Sequence, residues 1–278
     1  MHHTDFSWRT GSDQLKLFGQ VWQPVEPPKA VIALVHGMGE HSGRYRKFAE
    51  FFTEHGIAVI SYDQRGHGKS EGKKGHIVHY NQLLDGIDEL TERARIQFKA
   101  IPVILYGHSM GGNLVLNYAL KKPGSVKAVI ATGPWLRLAF EPPPLKLRLA
   151  KLMRNLHPGF TQSSNLDTTH LSLDKAIVQA YQKDKLVHDK ISASFFMNLY
   201  NAGYYALQHA NELKLPTLLM HGGGDKITSS DATEEFAKKS SLVSEVKVWD
   251  KLYHEIHNEP ERLEVLEFAY NWIMRQLA

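Results

Sequence analysis

The chain has 278 residues, 42% of them hydrophobic, so it can bury one sizeable core and carry an insertion. It contains no cysteine, which excludes disulfide bonds, thiolate nucleophiles and cysteine-ligated metals, and fits a reducing compartment. The formal net charge of +4 is mildly basic, compatible with anionic surfaces but too weak to indicate binding to nucleic acid.

Predicted strands and helices alternate along the chain. Apolar and β-prone runs predict strands at 6–10, 15–22, 30–35, 57–62, 101–106, 126–132, 215–221 and 245–249. Helical spacing of apolar residues predicts helices at 45–55, 80–98, 112–122, 145–156, 173–209, 231–240 and 260–277. This alternation predicts an α/β fold with a mostly parallel, doubly wound sheet of about eight strands. The first two strands form an antiparallel hairpin at its edge, and ligands bind beyond the carboxyl ends of the parallel strands.

The long interval between strands 126–132 and 215–221 predicts an insertion. A crossover helix needs far fewer than these roughly eighty residues. We expect residues 1–135 and 210–278 to form the core. Residues 136–209 are then a helical cap that lies over the strand ends as a lid.

No apolar run approaches the roughly 18–20 residues of a membrane span, and the first residues lack the apolar stretch of a secretory signal. We therefore expect a cytoplasmic protein with, at most, peripheral membrane contact. Helix 145–156 is basic and amphipathic, and two interpretations stay open: its apolar stripe packs on the core, or it touches membrane. The stripe comprises Leu145, Leu149, Leu152, Met153 and Leu156, and the cations are Lys146, Arg148, Lys151 and Arg154.

A candidate nucleophile lies between strand 101–106 and helix 112–122, in Gly107-His108-Ser109-Met110-Gly111. Gly-x-Ser-x-Gly alone is a weak signal, but a strand before it and a helix after it are the context of a nucleophile elbow. Such an elbow exposes the Ser109 hydroxyl beside a helix N-terminus, where negative charge is favoured. The sequence therefore predicts Ser109 as the nucleophile of a hydrolase.

A serine nucleophile needs a histidine base and an acid that fixes its tautomer, and in this fold they follow in the order serine, acid, histidine. Asp225 follows strand 215–221 and His254 follows strand 245–249, so topology brings both to the edge that carries Ser109. Asp231 is the alternative acid, and His257 is the alternative base. We predict a Ser109–His254–Asp225 triad.

The developing oxyanion needs backbone N–H donors, one from the residue after the nucleophile and one from the loop after strand 30–35. The first is Met110. The second is Met38, in a loop opened by Gly37 and Gly39. This chemistry uses no metal and no cofactor.

Three segments together resemble the monoacylglycerol lipases and lysophospholipases of the α/β-hydrolase superfamily. They are residues 36–45 (HGMGEHSGRY), 63–70 (DQRGHGKS) and 107–112 (GHSMGG), and Asp225 and residues 253–257 fall where that family keeps its acid and base. The resemblance covers the core and fades in the insertion, where acyl-chain preference is set. It implies a serine esterase acting on single-chain lipid esters, with monoacylglycerol as the expected substrate. Lysophospholipase, thioesterase and peptidase activities share this triad and remain alternatives.

The resemblance also implies that Glu40, Arg44 and His257 line the polar end of the pocket and hold a glycerol-like alcohol. The alternative interpretation is that these residues form a salt-bridged framework for the loops.

Other patterns in the chain suggest different functions. Gly37, Gly39 and Gly43 after a strand, with Asp63 about twenty residues later, mimic a dinucleotide fingerprint, but an NADP-dependent oxidoreductase leaves the serine elbow unexplained. The pairs His76/His79 and His254/His257 lack zinc-site spacing and are interpreted as loop histidines. A non-catalytic receptor is disfavoured because each triad position holds a competent residue.

Overall fold

Strands and helices alternate through most of the chain, of which the computed structural model describes residues 1–124 and 126–278. The strands within these residues are β1 (His2–Arg9), β2 (Lys16–Gln23), β3 (Ala30–Val35), β4 (Ile57–Tyr62), β5 (Val103–His108), β6 (Ala128–Thr132), β7 (Thr161–Ser163), β8 (Lys190–Ser192), β9 (Thr217–Gly222) and β10 (Ser244–Trp249). The α-helices are α1 (Arg46–Glu54), α2 (Asn81–Gln97), α3 (Met110–Lys121), α4 (Pro144–Leu156), α5 (Lys175–Lys183), α6 (Ala193–His209), α7 (Ser230–Lys239) and α8 (Arg262–Leu277).

Eight of these strands form one sheet in the order β1-β2-β4-β3-β5-β6-β9-β10. The hairpin β1–β2 lies at one edge and pairs antiparallel to β4, whereas β4, β3, β5, β6, β9 and β10 run parallel. The predicted mostly parallel sheet of about eight strands is confirmed.

Both faces of the central sheet are covered by helices, which is why its strands are continuously apolar. Alternate residues of β3 point to opposite faces, and β3 is fully buried. One face packs into a cluster with α2 and α3 and the other into a cluster with α1 and α8.

The register of the parallel strands aligns their carboxyl ends at one edge. Val35 of β3 lies opposite Gly107 of β5, and Gly222 of β9 lies opposite Trp249 of β10. The loops that follow these four strands therefore emerge side by side, as expected for a ligand site in an open parallel sheet.

The segment between β6 and β9 differs from its prediction. Residues 173–209 are not one helix but α5 and α6, separated by β8, which pairs with β7 in a small antiparallel sheet. Two local side-chain bonds explain the break: the Asp184 carboxylate accepts from the Leu186 N–H at 2.8 Å, and the Ser192 hydroxyl caps α6 by accepting from the Phe195 N–H at 3.1 Å. Short polar side chains compete in this way with helical backbone bonds.

The two ends of this insertion attach to the core very differently. Helix α6 packs on α3, where the Asn113 and Asn117 side-chain amides donate to the Leu199 and Ala202 carbonyls at 3.3 and 3.1 Å. Helix α4 has no buried residue. The cap boundaries of 136–209 stay a prediction, with α6 contributing to the same hydrophobic cluster as the core.

Among the described residues, no helix is long and apolar enough to cross a membrane.

Candidate active site

Ser109 lies at the turn between β5 and α3 in a strained backbone conformation. Its φ is +55° and its ψ is −114°, a region that costs a non-glycine residue about 1–3 kcal/mol. A side chain at Gly107 would collide with the Gly111 carbonyl oxygen, and one at Gly111 would collide with the Val35 carbonyl oxygen. The two glycines therefore allow the tight turn that presents Ser109, as the motif predicts.

Asp225 and His254 are in direct contact in the loops after β9 and β10. The distance from His254 Nδ1 to Asp225 Oδ2 is 2.7 Å, and both side chains are buried. This bond leaves His254 Nε2 as the ring nitrogen that can accept a proton. Ser109 and His254 line the same cavity, so the structure brings the three predicted residues to one edge of the sheet.

The Asp225 carboxylate is satisfied on both oxygens. Oδ2 also accepts from the Thr228 hydroxyl at 2.8 Å and from His221 Nε2 at 3.1 Å. Oδ1 accepts from the Ile227 and Thr228 backbone N–H groups at 2.7 and 3.2 Å. Sequence reasoning missed Thr228 and His221; the available signal was a histidine at the end of an otherwise apolar buried strand.

The charges of Asp225 and His254, the predicted acid and base, stabilise each other. Burial alone would raise the pKa of Asp225, but the neighbouring His254 and the hydrogen bonds from His221 and His254 lower it well below its usual range. Burial alone would lower the pKa of His254, yet the Asp225 carboxylate outweighs it and raises that pKa above its ordinary value. The site therefore favours an ionised acid beside a readily protonated base.

Met38 and Met110 occupy the positions expected of oxyanion donors. Met110 begins α3 directly after Ser109, and Met38 follows Gly37, at which an added Cβ would lie 3.2 Å from Ser109 Cβ. Within the described residues, no backbone carbonyl accepts from either methionine N–H. Both groups are thus available to a ligand, and their role stays a prediction.

The Met38 loop is bonded to His188, in the segment between β6 and β9. Gly39 has φ +78°, and its carbonyl accepts from the His188 N–H at 2.8 Å. A side chain at Gly39 would collide with the His188 carbonyl oxygen. The backbone at His188 therefore helps to set the orientation of the loop that carries Met38.

The structure places Glu40, Arg44 and His257 in a buried polar cluster. Arg44 Nη1 donates to Glu40 Oε2 at 2.7 Å and to Glu255 Oε1 at 2.7 Å, and Arg44 Nη2 donates to Glu255 Oε2 at 2.8 Å. Glu40 and Glu255 reach the cavity wall, whereas the lining does not include Arg44 or His257. This arrangement favours the framework interpretation, and binding of an alcohol by these residues remains a prediction.

The His257 ring contacts the His108 ring edge-on, with ring centroids 4.7 Å apart. It is also stacked on the Tyr45 ring, with centroids 5.0 Å apart. Burial lowers its pKa to about 4, although the Glu255 and Glu40 carboxylates oppose that shift. Asp225 bonds His254, and among the described residues no hydrogen bond joins His257 to Asp225, so His257 is less suited to be the base.

The cavity in front of Ser109 has a volume of about 1290 Å³. This exceeds the ~300–1,000 Å³ of common ligand pockets. Its apolar wall comes from the segment between β6 and β9 and from the loop after β9, and includes Leu138, Phe140, Leu147, Phe160, Phe196 and Ile227.

The residues that mimic a dinucleotide fingerprint have internal partners. Asp63 Oδ1 accepts from the Ser42 N–H and hydroxyl at 2.8 and 2.6 Å, and its Oδ2 accepts from the Lys69 N–H at 2.8 Å. The Asp63 carboxylate therefore joins the loop after β3 to the loop after β4, and both of its oxygens are occupied by these bonds. In the part of the chain that the structure describes, no group of three or more His, Cys, Asp or Glu side chains is arranged so that it could hold a metal ion.

Comparison with known proteins identifies the family of this chain. A family model described as Serine aminopeptidase, S33 matches residues 26–261. A Monoacylglycerol lipase of Mycolicibacterium smegmatis is 33% identical over 269 residues, which are 96% of each chain. The Monoglyceride lipase of Rattus norvegicus is 29% identical over 281 residues, covering 99% of this chain and 92% of that one. An abhydrolase domain-containing protein of Dictyostelium discoideum is 36% identical over 96% of this chain, which spans only 28% of that relative.

Solved structures confirm the predicted α/β-hydrolase fold. The monoacylglycerol lipase of Paleococcus ferrophilus superposes with a TM-score of 0.84 at 30% identity, covering 99% of this chain and 100% of that one. A soluble variant of the monoglyceride lipase of Saccharomyces cerevisiae, in complex with a substrate analog, gives a TM-score of 0.86 at 22% identity, covering 99% and 94%.

Proposed function

Because this chain belongs to the hydrolase family described as Serine aminopeptidase, S33, we propose that it is a serine hydrolase that cleaves monoacylglycerol to fatty acid and glycerol. The observation that carries the proposal is a strained serine that shares an apolar cavity with a histidine bound to a buried carboxylate. A serine hydroxyl is a poor nucleophile near neutral pH, and this arrangement supplies the base that it needs.

The mechanism follows from these three side chains. Ser109 Oγ attacks the ester carbonyl carbon while His254 Nε2 takes its proton, and Asp225 stabilises the resulting imidazolium. The N–H groups of Met38 and Met110 hold the oxyanion of the tetrahedral intermediate. Collapse breaks the bond to the glycerol oxygen, which receives the proton from His254. Water then repeats these steps on the acyl-enzyme and releases the fatty acid.

The choice of monoacylglycerol rests on the names of the relatives and on the cavity. The proteins from Mycolicibacterium smegmatis and Rattus norvegicus are named for that activity, and they match this chain over nearly its whole length. The apolar wall offers the acyl chain a buried path, and each buried CH₂ is worth about 0.8 kcal/mol.

A substrate panel tests this choice against the same triad acting on other acyl compounds. We would measure kcat/KM for a long-chain monoacylglycerol, a lysophosphatidylcholine, an acyl-CoA and an aminoacyl anilide, each with wild type and Ser109→Ala. Ser109-dependent turnover with the highest kcat/KM on monoacylglycerol supports the proposal. A higher Ser109-dependent kcat/KM on any of the other three substrates contradicts the choice of monoacylglycerol but is compatible with the serine mechanism.

We also propose that helix α4 contacts membrane as a peripheral element. Most of its apolar stripe points outward: Leu145, Leu149, Leu152 and Leu156 are between 53% and 77% exposed. Met153 is half-buried, and both Met153 and Leu149 line the cavity. The stripe is therefore not packed on the core. An exposed apolar face bordered by cations is typical of a helix that lies in a membrane interface.

Vesicle co-sedimentation tests the membrane contact. We expect wild type to bind anionic vesicles more strongly than neutral ones, because each lysine or arginine near the surface is worth about 1 kcal/mol. The triple variant of Lys146, Lys151 and Arg154 to glutamine should lose most of that preference. Equal binding of both proteins to anionic vesicles, or no binding of wild type, would leave α4 as an ordinary lid element.

A further inference from the structure

One buried guanidinium joins the loop after β3 to the loop after β10. The Arg44 side chain is 9% exposed and lies between the carboxylates of Glu40 and Glu255, which are 3% and 2% exposed. It gives Glu255 a bidentate pair and shares Nη1 with Glu40. Bidentate pairs of this kind fix geometry as well as charge.

Each carboxylate is also bound to its own loop. Glu40 Oε1 accepts from the Gly37 N–H at 2.6 Å and from the Tyr45 hydroxyl at 2.8 Å. The first of these bonds holds Gly37, the residue directly before Met38. On the other side, Glu255 Oε2 accepts from Asn258 Nδ2 at 2.8 Å. Glu255 is the residue directly after His254, so the guanidinium connects the proposed oxyanion loop with the proposed base.

The cluster carries a net negative charge next to the base. Two carboxylates and one guanidinium leave one buried negative charge, which water screens weakly. The main ionisable groups that act on the His254 ring are the carboxylates of Asp225, Glu255 and Glu40 and the imidazoles of His108 and His257. The Arg44 guanidinium pairs with Glu40 and Glu255 and acts on the neighbouring His108 and His257 rings.

We propose that Glu255, held by Arg44 and Glu40, is a positioning residue that keeps His254 in place against the Met38 loop and stabilises its protonated form during catalysis. The inference rests on the proposed serine hydrolase mechanism. It gives Glu40 and Arg44 a part in positioning His254, and their binding of an alcohol stays a separate prediction.

The charge balance agrees with this geometry. Burial opposes ionisation of Glu255, but the Arg44 guanidinium lowers its pKa below the ordinary value, so it stays a carboxylate at neutral pH. Burial lowers the pKa of His254, but the Asp225 carboxylate raises it. The Glu255 and Glu40 carboxylates raise it further by smaller amounts.

The pH profile of kcat/KM separates this role from a purely structural one. The test variant is Glu255→Gln, which keeps the shape and removes the charge. The matched control is Glu259→Gln in the same loop. Glu259 is also buried, but it accepts from the Tyr253 and Leu173 N–H groups at 2.6 and 2.8 Å and is not one of the main charges that shift the pKa of His254. Para-nitrophenyl butyrate serves as the substrate because its alcohol portion is not glycerol.

We expect Glu255→Gln to move the acidic limb of the profile to lower pH by about 0.5–1 unit, because His254 loses a neighbouring negative charge. Its kcat should fall about 10-fold with little change in KM, since the imidazolium forms only as the reaction proceeds. Glu259→Gln should leave the limb where it is. Glu255→Asp, which keeps the charge on a shorter side chain, should retain most of the limb position while still losing kcat.

An unshifted acidic limb in Glu255→Gln, or an equal shift in Glu259→Gln, overturns the inference. If Glu255→Gln does not fold, Glu40→Gln removes a charge from the same cluster and carries the same expectations. If the KM of Glu255→Gln or Glu40→Gln rises for glycerol monobutyrate but not for para-nitrophenyl butyrate, the cluster binds the alcohol, and the inference is overturned. If wild type shows no Ser109-dependent ester hydrolysis, the proposed function fails instead, and the two failures are distinguishable.

Discussion

Asp225→Asn should remove almost all activity without removing the fold. In the structure, three donors converge on Oδ2, from His254, His221 and Thr228, and two backbone N–H groups converge on Oδ1. An asparagine offers one acceptor oxygen and one NH₂ group, which is itself a donor. In either orientation the NH₂ group therefore faces at least two of those donors.

The least costly adjustment is for His254 to change tautomer. Its Nδ1 then accepts from the asparagine and its Nε2 carries the proton, so it cannot take the proton of Ser109. We expect kcat to fall about 10⁴-fold, equivalent to about 5 kcal/mol of transition-state stabilisation. Loss of charge-assisted hydrogen bonds should also lower the free energy of unfolding by about 2 kcal/mol.

The assay is kcat for para-nitrophenyl butyrate, with thermal unfolding measured on the same samples. Thr228→Val is the matched control, since it removes one donor to Asp225 and leaves the contacts from His254 and His221, so it should cost about 10-fold or less. A folded Asp225→Asn variant with activity within 10-fold of wild type would refute the assignment of Asp225 as the acid.

The other predictions concern the base and its surroundings. His254→Ala should abolish acylation and His257→Ala should retain it, as measured by burst kinetics; the reverse result would assign the base to His257. Adding Asp225→Ala to His254→Ala should cost little further kcat, because residues that act as a unit are not additive, and full additivity would contradict a shared role. Gly133→Ala should lower both kcat and melting temperature, since Gly133 has φ +49° and an added Cβ would lie 3.3 Å from His254 Nδ1. An unchanged kcat would show that the loop after β6 adapts to the added methyl group. The pKa of His257 is lowered to about 4 in the folded chain. Its contribution to the free energy of unfolding is therefore complete above the unfolded pKa of ~6.5, and up to about 3 kcal/mol is lost as pH falls towards 4. A His257→Phe variant whose melting temperature depends on pH in the same way as that of wild type over this range would contradict this.

The core of the fold was predictable because its strands are short apolar runs between clear breaks. The predicted strands 30–35 and 57–62 coincide with β3 and β4, and the turn at Ser109 was predicted from its two glycines and its flanking strand and helix. Parallel strands bring their carboxyl ends to one edge, which was enough to place Asp225 and His254 near that turn.

The insertion and the support of the site were less predictable. Helical periodicity continued through 173–209 and did not reveal that Asp184 and Ser192 divide that segment. The contact between Arg44 and Glu255 joins residues 211 positions apart, a separation over which periodicity and local motifs carry no information. The sequence pattern of helix 145–156 showed an amphipathic helix but not which face would point outward.

Labelling with an active-site phosphonate, followed by mass spectrometry of the modified peptide, tests the central claim most directly. Attack on phosphorus requires an activated serine, so wild type should carry one adduct on Ser109, and Ser109→Ala should carry none. His254→Ala should react far more slowly while remaining folded. An adduct on another residue, or the absence of any adduct in active wild type, would contradict the proposed mechanism.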